Sequence, residues 1–300
     1  MTLMRFFNLR SNLWAPFAAW VCIAVFSVIM AGSGCETRLE RIRFDKQSEF
    51  ERILVVDKAD RRYLRFGAAD NGYQSSISLS DPEAVPAEYI RAAMLGMVMA
   101  PEPERVLMVG LGGGVFTSLL RHHFPNLWID AVEIDPVVVE AAVKFFNVRE
   151  DERFRIYVED GAKFIEDAQI SYDLVLLDAY SGEGVPEKLV SREFFQAVKT
   201  RMNAGGVVAA NLWQQGDREK AIAASFDAVF DQTACIRSTD RQNLLLFGKA
   251  GGMPSSKDLV RAAYRFTAAH DLSFDLGEIA GRAAVSPEAG APFCKTRRGG

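Results

Sequence analysis

Three carboxylates of this 300-residue chain, Glu133, Asp160 and Asp178, follow apolar runs that have the composition of β-strands. A fourth apolar run leads into a glycine-rich segment, Gly110–Gly114. A carboxylate at the end of a strand can accept hydrogen bonds from hydroxyls or an amino group, and it can take a proton from a bound substrate. A glycine-rich turn lets the backbone approach a ligand closely. Together these residues indicate a site for a small polar molecule.

Alternating strand-like and helical segments from residue 105 onward position these groups. The alternation predicts a doubly wound, Rossmann-like α/β domain with a parallel sheet and an added edge strand at 244–247. In such a sheet ligands bind at the carboxyl ends of the strands, so we expect the three carboxylates and the glycine turn to converge. The strand-like runs are 106–109, 128–132, 154–157, 174–177 and 207–210, and the helical segments lie near 115–123, 136–146, 161–168 and 191–202.

The spacing of Gly110, Gly112 and Gly114 discriminates between kinds of nucleotide-binding turn. The dinucleotide fingerprint GxGxxG requires glycine at 115, where this chain has Val115, and the sequence has no Gly-Lys-Ser/Thr of a P-loop. GxGxG is instead typical of the fold of S-adenosylmethionine-dependent methyltransferases. A tight strand-to-helix turn also needs glycine for steric reasons alone. We interpret the three glycines as binding an adenosyl ligand, beside free N–H groups of the following helix.

Each carboxylate has a predicted role and a structural alternative. Glu133 is predicted to accept hydrogen bonds from both hydroxyls of a ribose; the alternative, complementing a helix dipole, suits Asp135 better because a proline follows it. Asp160, with Gly161 beside it, is predicted to accept a hydrogen bond from the amino group of adenine, and its alternative is capping of a helix. Asp178 precedes a flexible loop and is the candidate general base or substrate clamp.

Composition excludes two classes of function. With 35 basic and 39 acidic residues the formal net charge is -4, so no basic field attracts a nucleic acid. Four cysteines without CxxC spacing and three histidines predict no metal site. The expected partner is therefore a small molecule.

The N-terminal segment is a separate kind of sequence. Residues 13–30 are nearly all apolar, about the length that spans a bilayer. Three interpretations stay open: a membrane anchor, a cleaved secretory signal, and a lipoprotein signal ending at Cys35, which resembles a bacterial lipobox except that Gly32 stands where leucine is usual. Basic residues are denser after the segment than before it, which favours an uncleaved inner-membrane anchor (residues 13–34) with a cytoplasmic catalytic domain. A start assigned too far upstream would instead leave a cytoplasmic protein.

Four regions follow from these patterns. Residues 1–37 form the hydrophobic anchor or signal segment, and 38–100 a small unit of β-strands plus a helix. Residues 101–250 form the nucleotide-binding catalytic α/β domain. Residues 251–300 form a C-terminal helix and a disordered tail.

From about residue 53 to 249 the sequence resembles the spermidine synthase (polyamine aminopropyltransferase) family. The small β unit before the sheet also fits that family, whereas most plain methyltransferases lack it. The motifs that carry the resemblance are Val132–Pro136, Asp160–Ala162, the apolar strand into Asp178, Val190–Phe195 and Asn203–Gly206.

The resemblance implies transfer of an aminopropyl group from decarboxylated S-adenosylmethionine to a polyamine acceptor, leaving methylthioadenosine. The donor is a co-substrate, and no prosthetic group is implied. Asp178 matches the family's aspartate that takes a proton from the attacking amine, and Tyr89 matches a tyrosine that assists it. Gln74 resembles a glutamine near the sulfur of the ligand. The resemblance also suggests a homodimer.

The chain departs from the family pattern at three places. Gly113 stands where the family has an aspartate that holds the donor's free amine, and Ser181 stands where it has a second aspartate after Asp178. Ile90 and Arg91 replace a His-Glu pair expected near the amine substrate. A carboxylate at 113 would repel the carboxylate that only intact S-adenosylmethionine carries, so its loss is expected to relax the choice of donor.

Two other functions therefore stay open. The first is an S-adenosylmethionine-dependent methyltransferase acting on a small acceptor, which Gly113 favours and the N-terminal β unit does not. The second is a non-catalytic, membrane-tethered nucleoside-binding protein. Retention of Asp178 disfavours it, because binding alone needs no carboxylate at that position.

Overall fold

The computed structural model describes residues 40–67, 72–81, 83–181, 184–213, 216–230 and 232–285. The segment predicted as an anchor or signal, including residues 13–34 and Cys35, lies outside the described residues, as does the tail predicted to be disordered. Within the described part of the chain, no helix combines the length and the hydropathy needed to cross a bilayer.

An antiparallel sheet of four strands comes first, with the strands adjacent in chain order. Its strands are β1 (Arg41–Gln47), β2 (Arg52–Lys58), β3 (Arg61–Phe66) and β4 (Ser75–Ser78). The predicted small β unit is confirmed. The sequence gives only a weak signal for β1, because its alternation of apolar and polar residues is limited to Ile42 and Phe44 and the strand is almost wholly exposed. Two short helices follow, α1 (Glu88–Ala93) and α2 (Leu95–Met99).

The second sheet has eight strands. They are β5 (Arg105–Val109), β6 (Trp128–Glu133), β7 (Phe154–Val158), β8 (Tyr172–Leu177), β9 (Met202–Trp213), β10 (Thr233–Arg237), β11 (Asn243–Lys249) and β12 (Ala284–Val285). Their order is β12-β10-β11-β9-β8-β5-β6-β7. The five neighbouring strands β7, β6, β5, β8 and β9 pair in parallel. On the other side of β9, the strands β11, β10 and β12 pair antiparallel.

The doubly wound α/β fold predicted from the sequence is confirmed, with one correction to the sheet. The strand predicted at the edge, residues 244–247, is part of β11 and lies between β9 and β10. Sequence analysis missed β10 and β12, which extend the sheet beyond it. Each is short, at five and two residues, so neither gives a periodic pattern long enough to identify a strand.

Helices cover both faces of this sheet. In β5, Val106 and Met108 join one buried cluster, whereas Leu107 and Val109 join the other, as the two-residue period of a strand requires. The first cluster includes residues of α3 (Val115–His123) and α4 (Pro136–Phe145), and the second includes residues of α5 (Gly161–Asp167), α6 (Arg192–Thr200) and α7 (Arg218–Asp227). Two further helices near the C-terminus are α8 (Ser256–Ala269) and α9 (Leu276–Ala280).

Candidate active site

A cavity of about 720 Å³ opens at the carboxyl ends of the parallel strands. It is lined by eight of the nine residues predicted from the sequence to form the site: Gln74, Tyr89, Gly110, Gly112, Glu133, Asp160, Gly161 and Asp178. Gly114 does not line it. Because ligands bind at this edge of an open α/β sheet, the cavity is the candidate active site.

The glycine-rich turn passes close to the end of β8. Gly110 has φ +90°, and a Cβ atom there would lie 2.4 Å from the backbone oxygen of Asp178. Gly114 begins α3 in the left-handed region, at φ +63°, and a Cβ atom there would lie 2.3 Å from Val148 Cγ2. The turn therefore requires glycine at both positions. A side chain at Gly110 would collide with the backbone of Asp178, and α3 begins at Gly114 from a left-handed conformation.

Glu133 holds the glycine turn in place. Its Oε2 accepts hydrogen bonds from the backbone N–H of Leu111 (2.9 Å) and of Gly112 (3.4 Å), and its Oε1 accepts one from the N–H of Asp135 (3.2 Å). Burial raises the pKa of Glu133, although these N–H groups stabilise its charged form. The helix-terminal role belongs to Asp135, whose side chain accepts from Val137 N–H at the start of α4. Glu133 is thus left to face the cavity.

Asp160 caps a helix, which was its structural alternative, and it also lines the cavity, where its contact with adenine stays a prediction. Its Oδ1 caps α5 by accepting from the N–H groups of Ala162 (2.9 Å) and Lys163 (3.3 Å), while the residue also lines the cavity. Its Oδ2 forms an ion pair with Lys188. Burial acts to raise the pKa of Asp160, but Lys188 and the two backbone N–H groups outweigh it, and the net effect lowers the pKa. No sequence pattern pointed to Lys188.

Asp178 contacts two polar side chains from distant parts of the chain. Asn211 donates from Nδ2 to Asp178 Oδ1 at 2.8 Å, and the hydroxyl of Tyr89 donates a second hydrogen bond. Burial raises the pKa of Asp178 to about 7, against the two hydrogen bonds, which lower it. Burial and the neighbouring Asp178 carboxylate raise the pKa of Tyr89 well above its usual value. Asp178 can therefore exchange a proton near neutral pH, with Tyr89 as a neutral donor.

Behind Asp178 lies a network that sequence analysis missed. Asn243, the first residue of β11, donates from Nδ2 to Asn211 Oδ1 at 3.0 Å. The hydroxyl of Tyr180 donates to the backbone oxygen of Asn211 (2.5 Å) and accepts from Trp213 N–H (2.6 Å). Because Asn243 occupies the oxygen of the Asn211 amide, the amide nitrogen is directed at Asp178. The available signal was a polar residue inside the apolar strand β9 and another at the start of the apolar strand β11.

The structure explains one departure from the family pattern. A Cβ atom at Gly113 would lie 2.8 Å from Ser75 Cβ and 3.0 Å from Phe146 Cδ1, and the N–H of Gly113 donates to Ser75 Oγ at 2.9 Å. This backbone has no room for a side chain at 113. Ser181 lies in the turn that follows Asp178 and bridges to Gly184. Within the described residues, no cluster of His, Cys, Asp and Glu is arranged to hold a metal ion.

Comparisons with known proteins agree with this geometry. The family model named Spermine/spermidine synthase domain matches residues 88–236. The polyamine aminopropyltransferase of Vibrio vulnificus (strain CMCP6) is 32% identical over 193 residues, which cover 63% of this chain and 64% of that protein. The polyamine aminopropyltransferase of Chromobacterium violaceum is 31% identical over 180 residues, covering 60% of this chain and 68% of that protein.

Two further similarities bear on fold and chemistry. The crystal structure of a probable spermidine synthase from Corynebacterium glutamicum superposes with a TM-score of 0.64 at 20% identity, covering 74% of this chain and 87% of that one; at this identity the likeness shows the fold. Putrescine N-methyltransferase 2 of Nicotiana attenuata is 31% identical over 214 residues, covering 68% of this chain and 56% of that protein. The chain thus spans about two thirds of the Vibrio relative's length and just over half of the Nicotiana relative's.

Proposed function

The chain belongs to the spermine/spermidine synthase family, and from that premise we propose that it transfers an aminopropyl group from decarboxylated S-adenosylmethionine to an amine of the polyamine class. The observation that carries the proposal is Asp178. It combines a pKa raised to about 7 with a position at the glycine-rich turn, between Tyr89 and Asn211. A nucleoside-binding turn and a proton acceptor therefore meet in one cavity.

The donor is proposed to bind along the glycine turn. Glu133 is proposed to accept hydrogen bonds from the ribose hydroxyls in addition to those from the backbone N–H groups, and Asp160 to accept one from the amino group of adenine. Gly110, Gly112 and Gly161 allow close approach of the backbone. Gln74, which precedes β4 and lines the cavity, is proposed to contact the sulfonium.

In the reaction the amine nitrogen attacks the carbon that bears the sulfonium. A new C–N bond forms, the C–S bond breaks, and its electron pair neutralises the sulfur of the departing methylthioadenosine. The amine can attack only when its lone pair is free, so Asp178 in its ionised form accepts a proton from the ammonium form of the acceptor. Tyr89 supports the Asp178 charge through its hydrogen bond.

A methyltransferase on the same scaffold is the second candidate. Gly113 favours it, because the crowded backbone at this position leaves no room for a carboxylate side chain. The carboxylate of intact S-adenosylmethionine would therefore meet no negative charge here. The similarity to a putrescine N-methyltransferase also supports this candidate. The two functions share Asp178 as the proton acceptor and differ in which carbon next to the sulfonium is attacked.

Calorimetric titration followed by product analysis distinguishes the two functions. The chain is titrated with S-adenosylmethionine, its decarboxylated form and methylthioadenosine, and each donor is then incubated with putrescine. We expect tight binding of the decarboxylated donor and of methylthioadenosine, and formation of spermidine. Methylated putrescine from the intact donor, without spermidine, would replace the first function by the second. No binding of any of the three nucleosides would contradict both.

Membrane attachment through residues 13–34 stays a proposal of its own, with the catalytic domain placed in the cytoplasm. It predicts that the full chain sediments with membranes, and that a chain beginning near Arg38 does not. Incorporation of a labelled fatty acid that is lost in a Cys35→Ser variant would instead support the lipoprotein alternative.

A further inference from the structure

Among the charged side chains that line the cavity, Arg91 is the one that has no partner among the described residues. It is partly buried, its Nε is fully buried, and it makes no hydrogen bond or ion pair with the described residues. A guanidinium presents five donors in a rigid plane, and leaving such a group unpaired away from water is unfavourable. The other charged residues of the lining each have a partner: Glu51, Glu88, Glu133, Asp135, Asp160, Asp178, Lys188 and Asp240.

The position of Arg91 assigns it to the half of the cavity where the acceptor binds. Its helix α1 packs against β11, the strand that supplies Asn243, and Tyr89 on the same helix bonds to Asp178. The proposed ribose ligand Glu133 ends β6, and three strands lie between β6 and β11 in the sheet. Arg91 therefore lies on the same side of the cavity as Tyr89 and Asn243, three strands away from Glu133.

The charge balance around Arg91 disfavours a plain diamine. The nearest acidic residue along α1, Glu88, is occupied by an ion pair with Arg282 at 2.6 Å and by a hydrogen bond from Thr239 N–H at 2.9 Å. The second ammonium group of a diamine would meet an unpaired guanidinium here, a contact between like charges. A carboxylate on the acceptor would instead match the planar donors of Arg91 in a charge-assisted, bidentate pair.

We propose that Arg91 binds a carboxylate on the acceptor, so that the preferred acceptor is an amino acid with a terminal amine rather than an unsubstituted diamine. The inference rests on the proposed function, since it assumes that an amine is placed at Asp178. Ornithine and putrescine are suitable probes because they differ only by one carboxylate.

The test measures acceptor affinity without requiring turnover. The full chain, loaded with methylthioadenosine, is titrated with ornithine and with putrescine, and the initial rate of transfer from the decarboxylated donor is measured in parallel. We expect ornithine to bind at least about 10-fold more tightly than putrescine, the ratio for one charge-assisted hydrogen bond. Arg91→Gln should remove that preference, and Arg91→Lys should restore part of it. Arg261→Gln, at an exposed arginine on α8 paired with Asp258, is the control and should retain the wild-type ratio.

Three results would overturn the inference. Equal affinity of the wild-type chain for both acceptors is the first, and equal weakening of both by Arg91→Gln is the second. The third is that Arg91→Gln weakens the binding of intact S-adenosylmethionine, titrated separately, and leaves the binding of ornithine unchanged. This result would place Arg91 against the carboxylate of the donor. If ornithine binding depends on Arg91 but neither acceptor is aminopropylated, the proposed reaction is wrong while the carboxylate site stands.

Discussion

The two halves of the cavity are built in different ways. The donor half consists of the glycine turn Gly110–Gly114, Glu133 and Asp160, and the protein partners of its carboxylates include backbone N–H groups at the starts of the next loop or helix. The acceptor half, around Asp178, is built from side chains such as Tyr89, which different segments of the chain bring together.

This contrast indicates which parts of the active site can vary. Backbone N–H groups are present whatever the sequence, so the donor half depends on a few glycines and carboxylates that hold one geometry. The acceptor half depends on the identity of each side chain, and a single exchange, such as arginine for an acidic residue, changes the charge that a substrate meets. We therefore expect variants in the donor half to affect nucleoside binding, and variants in the acceptor half to affect turnover and acceptor choice.

Asp178→Asn is expected to have the largest effect and to separate the two halves most clearly. The amide keeps the size of the side chain but cannot accept a proton, so kcat should fall by about 10²–10⁴-fold, the usual contribution of a general base. Affinity for methylthioadenosine, measured by calorimetry, should stay within a few-fold of wild type because the donor half is untouched. Asp258→Asn, at an exposed residue on α8, is the matched control. Unchanged turnover of Asp178→Asn would end its assignment as the base.

Gly110→Ala tests the donor half. The added Cβ would meet the backbone oxygen of Asp178 at 2.4 Å, with φ at +90°, so the loop must shift. The strain should lower the free energy of unfolding by about 1–3 kcal/mol, and affinity for methylthioadenosine should fall with it. Gly216→Ala is the matched control because Gly216 also has positive φ, +53°, but nothing lies within 4 Å of its added Cβ. It should lose stability from the backbone strain and keep its affinity for the nucleoside. Equal affinities in the two variants would show that the loop tolerates a side chain.

The same difference explains what the sequence could predict. The glycine spacing, the carboxylates at strand ends and the alternation of strands and helices are local patterns, so the positions of Glu133 and Asp160 at the cavity and the parallel, doubly wound sheet could be predicted. Asn211 and Asn243 could not, because nothing in their own segments indicates that β9 and β11 pair side by side with the two amides in contact. Asp178 was predicted from its position at the end of an apolar strand and Tyr89 only through family resemblance, and their catalytic roles stay predictions.

Asn211→Leu tests how the acceptor half of the cavity sets the pKa of Asp178. Its Nδ2 hydrogen bond lowers the pKa of Asp178 against the effect of burial, so the variant should move the acidic limb of the kcat/KM profile to higher pH. A loss of about 10-fold in kcat near pH 7 would fit one lost hydrogen bond to a charged group. Asn243→Ala should shift the limb in the same direction by less, since it acts only by orienting the Asn211 amide. Identical acidic limbs in wild type and both variants would remove the network from the mechanism.

A last expected effect concerns the pH dependence of stability and follows from the pKa of about 7 at Asp178. An acid whose pKa is raised on folding favours the folded state when protonated, so its contribution is fully present below the unfolded pKa, near 3.9, and is lost as the pH rises through 7. Asp178→Asn mimics the protonated form at every pH. Its Tm should therefore exceed that of wild type at pH 8, and the two should converge near pH 4. A Tm difference that does not change with pH would mean that Asp178 is not desolvated as the cavity geometry implies, and that the carboxylate meets solvent as the exposed Asp258 does.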